Sequence, residues 1–154
     1  MNEISDFMEA DHLRLNASFV DFQKLKISDS KKSKEIFLEF ASELKRHILW
    51  EEEILFVSIG DKLKIKKGTS AGKSLSMLSM QHTQIIDFLQ QIKSELENGI
   101  NENQFENLLT EMLEHHNQVE EGIVYPLIDE LLTEEEKKSI FLKMKNLPKE
   151  KYSI

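Results

Sequence analysis

The sequence carries one short pattern twice, and that duplication constrains the fold more than any other feature. The first copy is His47-x-x-x-Glu51-Glu52 followed by Ile54 and Phe56, and the second is His116-x-x-x-Glu120-Glu121 followed by Ile123 and Tyr125. The copies align without a gap at an offset of 69 residues, and His12 and His82, 70 residues apart, stand ahead of them in the same order. Residues four apart on a helix lie on one face, a turn apart. The chain therefore reads as two copies of one helical unit: a histidine, then a histidine–glutamate pair.

The apolar spacing supplies the helices. Met8, His12, Leu15, Phe19 and Phe22 follow the 4-3 spacing of a bundle helix over about 5–26. Phe37, Phe40, Leu44, His47, Glu51 and Ile54 do the same over about 31–57. Leu75, Leu78, His82, Ile85, Leu89, Ile92 and Leu96 define a third helix over about 74–97. Phe105, Leu109, Met112, His116, Val119, Ile123 and Leu127 define a fourth over about 102–131, in which Pro126 predicts a kink. Residues 60–73, with five lysines, read as a long solvated loop. Thr133 to Glu136 forms a capping box for a short fifth helix over about 133–146, with a frayed tail beyond. The expected fold is all-α: an up-down-up-down four-helix bundle with a short C-terminal fifth helix, in a single domain spanning 1–154 with its core bundle at about 5–132.

Composition limits the function. The 154 residues include no cysteine, which excludes disulfides, thiolate metal sites and cysteine nucleophiles. A net charge of −8 argues against nucleic acid as a partner. No apolar run is long enough for a membrane span, and the first residues lack the pattern of a signal peptide, so a cytoplasmic location is expected.

Counting residues from each connection places all four histidines at one height in the bundle, with Glu51 and Glu120 one turn further along two parallel helices. Four imidazoles and two carboxylates thus aim at one layer of core. A buried, unpaired carboxylate costs several kcal/mol, and a domain of this size is stable by about 5–15 kcal/mol in total. Bound cations remove that cost. His12, His47, Glu51, His82, His116 and Glu120 are the expected metal ligands. Two imidazoles and two shared carboxylates per ion, with a solvent-derived oxo or hydroxo bridge, suit iron best and manganese next. They do not suit tetrahedral zinc or the hard ions Mg²⁺ and Ca²⁺. The paired Glu-x-x-His pattern of ferritin-like bundles is not present among these residues.

The pattern of His12, His47-x-x-x-Glu51, His82 and His116-x-x-x-Glu120 resembles the hemerythrin-like, or HHE cation-binding, family over about residues 5–132. The resemblance implies a bundle holding a carboxylate-bridged, non-haem di-iron centre that binds or senses O2 or NO. The alternatives it leaves are a di-iron enzyme reducing peroxide or NO, and an iron-dependent regulatory or iron-centre repair module. It implies a small diatomic ligand or peroxide as partner. Oxygen-carrying members have a fifth histidine near the position of His82, where this chain has Leu78 and Ile86. They also take their last carboxylate five residues after the final histidine, which makes Glu121 a competitor of Glu120. Glu52 and Glu121 are candidates to hold ligand imidazoles from outside. Phe56, Tyr125 and Trp50 read as core packing, and His115 as a surface residue.

Overall fold

The computed structural model describes residues 3–64 and 69–154. Helix α1 spans Glu3–Ser28 and α2 spans Ser30–Leu49, with Asp29 between them accepting from the Lys32 backbone N–H as the cap. A π-helical turn, Trp50–Leu55, joins α2 to α3, Phe56–Leu63. Helix α4 spans Ser70–Glu97, capped by Thr69. Helix α5, Gln104–Val119, runs through a second π-helical turn, Glu120–Val124, into α6, Tyr125–Leu131. Helix α7 spans Glu134–Lys145 and a 3-10 turn, Lys149–Lys151, follows it.

The four arms are α1, α2–α3, α4 and α5–α6. Helix α1 packs on α2 and on α6, and α4 packs on α5 and on α2, so each arm touches the next and the fourth returns to the first. This is the expected up-down-up-down bundle, with α7 laid across the first π turn.

Two differences from the sequence reading lie at the ends of elements. The second arm continues to Leu63 and α4 begins at Ser70, so the expected loop over 60–73 is shorter, and residues 65–68 of it lie outside the described residues. The tail beyond α7 is docked rather than frayed. Lys151 pairs with Glu53 at 3.1 Å, the Ile154 backbone N–H donates to Ser42, and the Arg46 guanidinium lies between the Trp50 and Tyr152 rings.

The core divides in two. One cluster gathers Leu15, Phe19, Phe22, Phe37, Phe40 and Leu89; the other gathers Ile4, Met8, Leu55, Ile59, Tyr125 and Ile128 with Ile140 and Met144 of α7. Fully burying each of these side chains contributes roughly 1.5–3 kcal/mol. Two apolar blocks of this kind can hold a polar layer between them in fixed register, and the histidines and glutamates occupy that layer.

Candidate metal centre

All six residues expected from the sequence as ligands are buried: Glu51 and Glu120 completely, the four histidines to 7% exposure or less. They form two groups, His12, His47, Glu51 and Glu120, and His82, His116, Glu51 and Glu120. In each group the candidate ligand atoms lie within 4.8 Å of one another. The histidines pair accordingly, with ring centroids 4.6 Å apart for His12 and His47 and 4.5 Å apart for His82 and His116.

Each glutamate belongs to both groups and divides its two oxygens between them. Glu51 turns Oε2 toward His47 Nε2 at 3.7 Å and Oε1 toward His82 Nε2 at 3.1 Å. Glu120 turns Oε1 toward His12 Nε2 at 3.3 Å and Oε2 toward His116 Nε2 at 3.1 Å. One oxygen per side is the arrangement of a bridging carboxylate.

The π turns contribute to this placement. Phe56 N–H donates to Glu51 carbonyl and Tyr125 N–H to Glu120 carbonyl, five residues back in each case. Such a turn inserts one residue into the α-helical register. The glutamates begin or lie in these turns, and the face that continues inward is displaced by one residue. On the fourth arm Val124 and Tyr125 are buried while Ile123, expected in the apolar stripe, is 57% exposed.

Every histidine presents Nε2 to the interior because its Nδ1 is held from outside. His12 Nδ1 meets Glu121 and His47 Nδ1 meets Asp11, both at 2.8 Å. His82 Nδ1 meets Glu52 at 2.6 Å and His116 Nδ1 meets the Gln81 amide oxygen at 2.8 Å. The four contacts fix the ring orientations and select the tautomer that leaves Nε2 free to coordinate. Glu52 and Glu121 take the outer role considered for them, and Glu121 contacts the outer edge of His12 rather than joining either inner group. Asp11 and Gln81 were missed by sequence reasoning. A signal existed: each immediately precedes the first histidine of its repeat.

A family model described as the hemerythrin HHE cation binding domain matches residues 3–128. The chain belongs to that family. No curated protein and no solved structure matches it.

In this hemerythrin HHE domain the donor set fits a cation. Glu51 Oε1, His82 Nε2 and Glu120 Oε2 are buried, with His82 Nε2 3.1 Å from Glu51 Oε1 and 3.7 Å from Glu120 Oε2 but no well-directed hydrogen bond among them. Acceptor atoms left facing one another in this way are costly unless a cation sits among them. Protonation shows the same tension. Burial opposes charge on His82, but Glu120, Glu51 and Glu52 outweigh it and raise its pKa to about 11. On His12 burial is likewise outweighed, by Glu120, Glu51 and Glu121, and the pKa rises to about 9. Burial and the neighbouring Glu120 push the Glu51 carboxyl up. For Glu120 burial is overcome by its contacts with Glu51 and three of the histidines, which hold it well below the carboxylate range. Protons thus do part of the work of cations. Asp11 is a clear anion despite its burial, held at about 2 by His47 and Arg14.

Tyr125, read from the sequence as core packing, reaches the centre. Its hydroxyl donates to Glu51 Oε2 at 2.6 Å and lies 3.2 Å from Glu120 Oε1, 3.2 Å from His12 Nε2 and 3.3 Å from His47 Nε2. Phe56, its counterpart in the repeat, stacks on His82 with centroids 5.9 Å apart. His115 is exposed and Trp50 is buried, donating to the Met144 carbonyl, as packing roles require. No helix among the described residues is long and apolar enough to cross a membrane.

Proposed function

We propose that the chain is a single hemerythrin-like domain in which His12, His47, Glu51, His82, His116 and Glu120 hold two iron ions. In this reading Glu51 and Glu120 bridge the ions and the centre binds a small uncharged diatomic ligand, O2 or NO. The observation that supports it is the division of each buried carboxylate, one oxygen toward each histidine pair. Two imidazoles and two carboxylate oxygens per ion make an incomplete octahedral set, and Leu78 and Ile86 put no further donor beside His82. Ferrous ions supply an electron-rich centre to which such ligands add.

The protein's contribution is position and exclusion. Outer hydrogen bonds hold the imidazoles with Nε2 turned inward, and the buried Leu15, Leu44 and Ile85 belong to one of the two apolar clusters of the core. Two recesses reach the layer from the surface: a groove of about 430 Å³ lined in part by Leu15, Phe19, Leu44 and Leu113 that meets His12 and Glu121, and a second, lined in part by Ile48 and Ile86, that meets His82. The apolar parts of their walls admit a small uncharged molecule more readily than an ion. Anaerobic titration of the ferrous protein with NO tests the reading, followed by optical and paramagnetic spectra, with O2 admitted to a separate sample. A stoichiometric spectral change with either gas is expected. Iron-loaded protein that responds to neither gas would contradict a ligand-binding role.

A further inference from the structure

The two ion positions are not equivalent, although the sequence repeat that builds them is nearly so. Around the first position the Tyr125 hydroxyl stands 2.6–3.3 Å from all four donor atoms, two oxygens and two imidazole nitrogens. Donors bound cis to one first-row metal at about 2.1 Å lie roughly 3 Å from one another. The hydroxyl has that spacing to each of the four. At the second position the repeat supplies Phe56, a ring with no oxygen, and Glu51 Oε1 and Glu120 Oε2 face the His82 and His116 Nε2 atoms at 3.1–3.7 Å. The hydroxyl stands on one side only.

We propose that Tyr125 is a ligand of the ion held by His12, His47, Glu51 and Glu120. That ion then has five protein donors, against four for the ion at His82 and His116. The inference rests on the metal-binding reading above and adds the asymmetry. The bond forms between Oη and the ion, and the phenolic proton leaves to solvent as the metal arrives, as a coordinating acid requires. A phenolate is a hard, anionic donor, so the first position favours the ferric state. An added ligand goes to the second position. That side of the bundle carries its own surface recess, lined by Ile48, Ser79, Thr83 and Ile86 and reaching His82.

The test uses the full chain loaded with iron and oxidised. The chain has two tyrosines, Tyr125 and Tyr152. Phenolate bound to ferric iron gives an intense visible charge-transfer band with enhanced tyrosine ring modes in resonance Raman spectra. Wild type should show both features, and growth on ring-deuterated tyrosine should shift the ring modes. Tyr152→Phe should keep the features, and Tyr125→Phe should lose them while elemental analysis still finds two irons per chain. Two irons in wild type without a phenolate band would overturn the tyrosine ligand and leave the di-iron reading standing. A band that survives Tyr125→Phe would also overturn it. Absence of bound metal in wild type would overturn both. The wild-type spectrum decides the matter even if Tyr125→Phe folds poorly.

Discussion

Asp11 shows how much one residue outside the inner layer governs. It is buried, held as an anion at about 2 by His47 and Arg14, and its Oδ2 receives His47 Nδ1. Without it the His47 ring is free to turn or to change tautomer, and its Nε2 no longer points at the layer. Removing such a partner costs about 10–100-fold in metal affinity in comparable sites. Asp11→Ala should therefore retain the helical spectrum and lose metal affinity by about that factor, measured by competition with a chelator. Unchanged affinity would show that His47 is positioned by packing alone. Gln81 plays the same part for His116 with a neutral amide. The pattern is reciprocal: the residue before each repeat's first histidine holds the histidine of the next arm, and the residue after each glutamate, Glu52 or Glu121, holds the histidine of the arm on its other side.

At the scale of the element, the helices were legible because burial imposes a period on sequence. The 4-3 spacing set the arms to within a few residues at most ends, and the capping box at Thr133 is present as read, with both reciprocal hydrogen bonds formed. Thr133→Ala should lower stability by about 1 kcal/mol, read as an earlier urea midpoint at constant slope. A shift indistinguishable from zero would mean that Glu136 alone, through Lys62 and the Thr133 backbone, anchors the start of α7. The π turns were not legible, since a constant period places Ile123 inward where the structure turns it to solvent. Tyr125 was legible as buried and illegible as polar chemistry, because periodicity reports where a side chain points and not what its last atom meets. The one available clue was the phenylalanine at the equivalent place in the other repeat. The docked tail escaped because it is held by three separate contacts to Ser42, Arg46 and Glu53, none of which follows a repeat.

For the whole molecule, the polar layer makes folding and metal binding one problem. In the metal-free protein His12 and His82 bind protons more tightly than in the unfolded chain, with values near 9 and 11 against 6.5. Groups raised in this way stabilise the fold fully below about pH 6.5, and that stabilisation declines as pH rises toward and through the folded values. The lowered carboxylates Asp11, Glu52 and Asp129 titrate below this window and do not alter it. The melting temperature of the metal-free protein should fall as pH rises from 6.5 to 9. With metal the sign reverses, because coordination needs neutral imidazole and the ions displace the protons. The iron-loaded protein should gain on the metal-free protein over the same range, by calorimetry at matched ionic strength. Parallel pH profiles for the two forms would mean that the ions do not bind at this layer. The most direct measurement is the iron content of the chain with and without a shared carboxylate. Anaerobically reconstituted wild type should bind two irons per chain, and Glu51→Ala should lose both together, since Glu51 gives an oxygen to each side. One ion per wild-type chain, or an undiminished pair in Glu51→Ala, would contradict the bridged centre.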